Sequence, residues 1–370
     1  MLMNRVAIAA FLSLFVAGQD KQGKGLDPVP VDRAIDRGIG VLKKKAIKRQ
    51  DTELVLWTFL HAGVQETDPA FQKLLKTAFE EPIWKSSKEF TYNMVLLAMI
   101  LQKLDALRYQ SVIAQCGQFL ADTQCENGQW AYGESFKPLP GFDRKPAPPR
   151  AGKGETLPAI KIKRSSASGE TEKTGDNSNS QYAALGIRAC HDAGVELPEE
   201  VLRRAKTWWE RDQQKDGCWN YGEKQAESGY GSMSCGAIGA LAILDSLLKQ
   251  PPLKDPSISK GFAWLGANFS VTDNPQAGKD SSFYYYLYSL ERAGDLTGIQ
   301  LIGAHDWYVE GAQVLLKAQR ADGSWKGSTT ETETWSTCFA ILFLKRATRP
   351  LPSVRSVDDR PKPGDTPKKE

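Results

Sequence analysis

Two carboxylates, Glu331 and Glu333, stand two residues apart in Thr330-Glu331-Thr332-Glu333-Thr334-Trp335, just ahead of an apolar helical stretch. At a cavity mouth such a pair raises one carboxyl's pKa and makes a general acid. Acidic residues there also simply favour the helix dipole. Asp176-Asn177-Ser178-Asn179 opens another such stretch. There Asp176 can join a catalytic set and Asn177 can offer a ligand hydrogen bonds, or these residues can cap the helix. Gln181 and Tyr182 follow on the same helix and are counted with the cavity-facing residues. Tyr284, Tyr285, Tyr286 and Tyr288 crowd a third stretch, with Tyr284 and Tyr288 one turn apart. Together with Trp335 they supply aromatic faces that can stabilise a carbocation, stack on sugar rings or fill core.

Metal and thiol chemistry have less support. His61, His191 and His305 are the only histidines, and no ligand spacing surrounds them, so neither metal nor cofactor is expected. Cys235 and Cys338 begin equivalent helices, where the dipole can lower a thiol pKa or the residues can serve as small buried hydrophobes. Six cysteines in an exported chain allow about 15 pairings if all pair, and spacing does not choose among them.

The elements that must position these groups form a repeat. Gln124-Cys-Glu-Asn-Gly128-Gln-Trp130, Gln213-Gln-Lys-Asp-Gly217-Cys-Trp219 and Gln319-Arg-Ala-Asp-Gly323-Ser-Trp325 all read Q-x-x-x-G-x-W. Each ends an amphipathic helix in one phase: Val112, Ile113, Cys116, Phe119 and Leu120 are matched by Val201, Leu202, Ala205, Trp208 and Trp209. Trp307, Tyr308, Gly311, Val314 and Leu315 complete the set. Glycine stops the helix, Gln ties turning backbone and Trp returns an apolar face over the helix end. Between these helices lie others that are apolar on nearly every side and therefore enclosed. The order is amphipathic then enclosed, six times: 32–47 with 52–62, 69–80 with 89–103, 106–123 with 177–193, 198–213 with 232–248, 256–268 with 281–293, and 304–319 with 333–346. Six such pairs predict a single all-α toroid of two concentric helical rings over residues 32–347.

The chain of 370 residues, 41% hydrophobic and 25% charged, has ample core for this. Arg5, the apolar run Val6–Val16 and Val16-Ala17-Gly18 read as a cleavable signal peptide over 1–18, followed by a linker over 19–31. That run is too short to span a bilayer, which takes about 20 apolar residues. Residues 137–175, rich in Pro, Gly and Ser, carry nine basic side chains against Asp143, Glu155, Glu170 and Glu172, and are expected to form a flexible basic loop. A tail over 348–370 is expected to be disordered and is also net basic. With the leader, loop and tail set aside, the formal charge of +4 becomes negative on the body, which disfavours a nucleic-acid face.

The three Q-x-x-x-G-x-W copies on six helix pairs resemble the α/α toroid of the terpenoid cyclases, squalene cyclase-like, and of the protein prenyltransferases. The resemblance covers roughly residues 32–347 and implies that fold. It does not bring the chemistry: D-x-D-D and G-C-G-E-Q do not occur, and the D-x-C string Asp216-Gly217-Cys218 falls inside a copy of the structural repeat. Ser356-Val357-Asp358-Asp359 lacks the first Asp, and Cys235-Gly236-Ala237-Ile238 does not match the thioester signature. The expectation is therefore a secreted or periplasmic, monomeric, non-catalytic binding or scaffolding toroid. Its partner would be a small apolar or glycan ligand, or a protein. The alternative is an enzyme, either cyclase-like through Glu331 and Glu333 or a polysaccharide lyase. A cyclase needs a deep dry cavity with an acid at its mouth, and side chains filling the centre would count against both enzymes.

Overall fold

The computed structural model describes residues 26–80, 90–133, 157–165, 172–222, 228–278 and 281–352. The proposed signal peptide lies outside them. Among them twelve α-helices alternate between two rings. The outer ring holds α1 (Pro28–Lys44), α3 (Pro69–Glu80), α5 (Gln110–Asp122), α7 (Glu199–Asp212), α9 (Pro256–Ala267) and α11 (Trp307–Ala318). The inner ring holds α2 (Thr52–Ala62), α4 (Phe90–Asp105), α6 (Asn177–Asp192), α8 (Gly231–Leu247), α10 (Phe283–Thr297) and α12 (Glu333–Leu344). Each inner helix packs on the next, and α12 packs back on α2, which closes an all-α toroid.

The rings follow from the residue patterns. Helix α8 is buried along nearly its whole length, as an all-round apolar helix must be. Outer α7 buries only Val201, Leu202, Ala205, Trp208 and Trp209. Asp255 with Pro256, Asp306 and Thr332 start α9, α11 and α12 by accepting backbone N–H bonds.

The repeat motif is a joint between elements as well as a helix stop. Gln124, Gln213 and Gln319 each donate from Nε2 to the carbonyl of their own motif glycine, at 3.1, 2.9 and 2.9 Å. The same nitrogens reach the next outer helix, at Val201, Ser257 and Ala34. Gly128, Gly217 and Gly323 sit at φ +99, +104 and +97. A Cβ there would stand 2.5, 2.6 and 2.8 Å from the carbonyl oxygens of Arg204, Lys260 and Arg37. Glycine is thus required twice, for its φ and for close approach. Trp130, Trp219 and Trp325 donate from Nε1 to Leu120, Trp209 and Leu315, each in the outer helix just completed. Their backbone N–H groups donate to Ser180, Ser234 and Thr337 on the inner helix that follows. The third copy lands on α1, so the joint that links successive pairs also closes the ring.

Two boundaries differ from expectation. Residues 157–165 of the basic segment are docked: β1 (Ile160–Lys161) pairs in parallel with β2 (Val195–Glu196). Gln118 donates to the Lys163 carbonyl and Arg164 to that of Gln124. Leu157, Ile160 and Ile162 give this short stretch the apolar content its flanks lack. The rest of 137–175 is described only from residue 172 onward. The fold also runs past residue 347, since Thr348 donates to buried Glu291 and Leu351 is buried. The only other strands among the described residues are β3 (Leu301–Ile302) and β4 (His305–Asp306), a two-residue hairpin.

Candidate functional site

The amino ends of the inner helices converge on one face of the toroid and surround a cavity of about 240 Å³. Its wall is aromatic, from Tyr92, Tyr132, Tyr182, Tyr221, Tyr285, Trp335 and Phe339. Gln50, Asn93, Ser178, Ser282, Thr330 and Glu331 provide polar atoms between the rings. Tyr132 and Tyr221 each lie two residues after a motif Trp, and their hydroxyls meet at 2.8 Å. The third copy has Gly327 at that position, where a Cβ would stand 2.6 Å from the Glu331 carbonyl oxygen. One turn therefore places a tyrosine on the cup twice and the Glu331 loop once.

Among the described residues Glu331 is the only carboxyl in the lining. It is 4% exposed and accepts the N–H groups of Tyr284 and Tyr285 at 3.2 and 2.7 Å, so it caps α10 from a neighbouring loop. Burial pushes its pKa up to about 7, against the lowering effect of those two bonds. Glu333 does not join it. Its side chain is 37% exposed and pairs outside the cup with Lys45 at 3.0 Å and Arg320 at 2.8 Å. The expected carboxylate pair is thus separated, because Glu333 starts the helix while Glu331 belongs to the loop folded over the rim.

Asp176 caps α6, accepting the Asn179 backbone N–H at 2.8 Å, and burial raises its pKa. It lies behind the wall rather than in it. Asn177 is structural: its Nδ2 donates to Asp212 and to the Asn220 carbonyl, and its Oδ1 accepts from Gln129 and Trp208. No capacity is left for a ligand. Trp335 faces the cup and donates from Nε1 to Asp51 at 2.8 Å. Burial raises Asp51, and it raises the neighbouring Glu53 despite Arg49 at 2.9 Å.

Below the cup the centre of the toroid is filled. Tyr285, Tyr288 and Arg292 share one face of α10 at helical spacing, whereas Tyr284 packs beside Phe283 and leaves the lining. The Arg292 guanidinium lies 4.3 Å from the Tyr288 ring centroid and 5.0 Å from that of Tyr182. Its Nη2 donates to Gln181 Oε1 at 2.7 Å and to Ser289 at 2.9 Å. Trp57 donates to the Tyr288 hydroxyl at 3.1 Å. Tyr288 and Gln181 thus belong to the plug beneath the site, and only Tyr182 and Tyr285 of that group reach the cavity.

Cys235 and Cys338 are buried and outside the lining, and burial pushes their thiols up, that of Cys338 to about 12. The helix dipole is too weak to offset that desolvation. All six cysteines are free. His61 is half-buried against Trp57 and pushed down to about 3 by desolvation. His305 stacks on Phe269 and contacts Glu310, and His191 lies beside its neighbour Asp192 at 3.6 Å. Among the described residues no group of three or more His, Cys, Asp or Glu is placed to hold a metal ion. No helix among them is long and apolar enough to cross a membrane.

Sequence reasoning missed Tyr92, Tyr132, Tyr221 and Arg292. The two W-x-Y strings were available as a signal for Tyr132 and Tyr221. Arg292 had none, because an arginine late in an apolar helix reads as a carboxy-terminal dipole partner.

The cup and the closed double ring define the class, an α/α toroid with a small polar–aromatic pocket at the amino ends of its inner helices. No protein-family model matches the chain. It is similar to a dammaradiene synthase from Dryopteris crassirhizoma, 23% identical over 329 residues, covering 75% of this chain. The match takes in 44% of that protein, so the chain spans less than half the relative's length. Among solved structures it resembles a possible member of the GH105 family from Salmonella enterica serovar Paratyphi A, with TM-score 0.58 and 9% identity. That likeness covers 88% of this chain and 96% of the other. A GH76A alpha-1,6-mannanase from Salegentibacter gives TM-score 0.53 and 11% identity, covering 87% and 98%. Identities this low carry the toroid fold and no activity.

Proposed function

We propose that the protein is an exported toroid that binds a small glycan-type ligand in the cup without transforming it. The observation that carries this is the lining formed by the described residues: seven aromatic rings interleaved with hydroxyl and amide groups, and a single carboxyl. Flat rings bury the apolar faces of a sugar while hydroxyls and amides pair with its oxygens. Hydrolysis of a glycosidic bond ordinarily uses two facing carboxyl groups, and among the described residues Glu331 has no carboxyl partner in the lining. The alpha-1,6-mannanase likeness suggests mannosides as first candidates. The segment outside the described residues is proposed to direct export, which mass measurement of the mature amino terminus tests.

An isoprenoid-cyclase reading draws on the dammaradiene synthase likeness. One feature weighs against it: Tyr182, a ring of the lining that could steady a carbocation, is already engaged by the cation of Arg292.

Trp335 lines the cup and reports on it. Titration with α-1,6-mannobiose is expected to change its fluorescence saturably, and Trp335→Phe to abolish the change, with no new reducing ends after prolonged incubation. Saturable binding of farnesol with none of mannobiose or other disaccharides would overturn the glycan assignment. Steady release of reducing sugar would overturn its non-catalytic part.

A further inference from the structure

We infer that the floor of the cup carries one unsatisfied hydroxyl proton, set there by Arg292, so the ligand is selected for an acceptor oxygen. The inference rests on the cup being a ligand site, not on the ligand being a glycan.

The argument is a proton count. Three hydroxyls line the cavity as one cluster: Tyr92 donates to Ser178 Oγ at 2.7 Å, and Ser178 and Tyr285 hydroxyls meet at 2.6 Å. Two mutual bonds use two of three protons. The destination of the third depends on Gln181, whose amide lies 2.7 Å from the Tyr285 hydroxyl. If Gln181 offered its oxygen, that proton would be absorbed. It cannot, because its oxygen is held by Arg292 at 2.7 Å, and guanidinium only donates. The reversed amide would face two donors at each other. Gln181 must therefore present Nε2 to Tyr285, as an additional donor, and one hydroxyl proton is left facing the cavity. Arg292 touches no ligand; it is a positioning residue that fixes the amide and, through it, the polarity of the whole chain. Its burial among Tyr182, Tyr288, Gln181 and Ser289 serves that end.

Gln181→Glu is nearly isosteric and reverses the count. Its carboxylate accepts from both Arg292 and Tyr285, all three hydroxyl protons of the cluster are consumed, and the cluster presents lone pairs only. Gln181→Leu removes the amide yet leaves the surplus proton. The probes are two neutral five-membered rings, cyclopentanone as acceptor and pyrrole as donor, measured by ligand-observed NMR at pH 8.5, where Glu331 is ionised. The cyclopentanone-to-pyrrole affinity ratio is expected to fall about tenfold or more in Q181E, the scale of one buried unmatched hydrogen bond, and to hold in Q181L. An unchanged ratio in Q181E, an equal fall in Q181L, or binding of neither ring by the wild type would overturn the inference. If Q181E does not fold, the wild type decides: the carbonyl stretch of bound cyclopentanone is expected at lower frequency than in hexane, and no shift would overturn the inference. Failure with mannobiose alongside the expected ratio change would sink only the glycan assignment.

Discussion

A carboxyl that faces a cavity while capping a neighbouring helix ties its protonation to folding. Glu331 does both, and its pKa in the fold, about 7, lies above the ordinary 4.5. For a raised carboxyl the folded state favours the proton, so its contribution to stability is full below pH 4.5 and is lost as pH rises through 7. A shift of that size is worth roughly 3 kcal/mol. Urea unfolding of Glu331→Gln, followed from pH 4 to 8, is expected to lose most of that slope. A variant profile parallel to the wild type would show that Glu331 titrates elsewhere. Asp51 and Asp176 are raised for the same reason, burial, and add slope of the same sign. None of this was legible in Thr330-Glu331-Thr332-Glu333. Both carboxylates look alike in sequence, and only the fold of the 327–331 turn sends one into the cup and leaves the other with Lys45 and Arg320.

At the scale of elements, the Q-x-x-x-G-x-W joint makes the sharpest claims. Gly217→Ala puts a Cβ against the Lys260 carbonyl at an unfavourable φ, and is expected to cost about 2–4 kcal/mol in chemical denaturation. Gln319→Leu strips a donor from the carbonyls of Ala34 and Gly323. It is expected to cost about 1–3 kcal/mol and to hasten proteolysis at α1, because this copy holds the ring closed. A loss confined to global stability, with α1 no more accessible, would mean that closure rests on apolar packing alone. Helix order, the inner or outer identity of each helix, and most boundaries were legible, because 3.6-residue periodicity and caps are local. The clipped strand at 160–161 was not. Two isoleucines in a Pro, Gly and Ser-rich stretch form structure only where Gly194 and Glu196 offer backbone partners.

For the whole molecule, the carboxy-terminal strap is part of the fold. Thr348 donates from N and Oγ1 to Glu291, both at 2.7 Å, deep at the opposite end of the toroid from the cup. Truncation after Ala347 is expected to lower stability by about 2–3 kcal/mol, since a buried carboxyl loses both partners. Truncation after Pro352 is expected to leave the melting temperature unchanged, and equal melting of the two forms would refute the role of the strap. By itself the sequence determined a single domain of six helix pairs, an acidic body and the register of three equivalent joints. Each of these follows from patterns repeated within a helix turn or between copies. The tertiary structure alone decided that the central hole is plugged and that a small cup remains at one face. It also decided that Glu331, the tyrosines and a buried arginine meet there. Those residues come from three helices and three loops distant in the chain, and closing the ring is what brings their side chains within hydrogen-bonding reach.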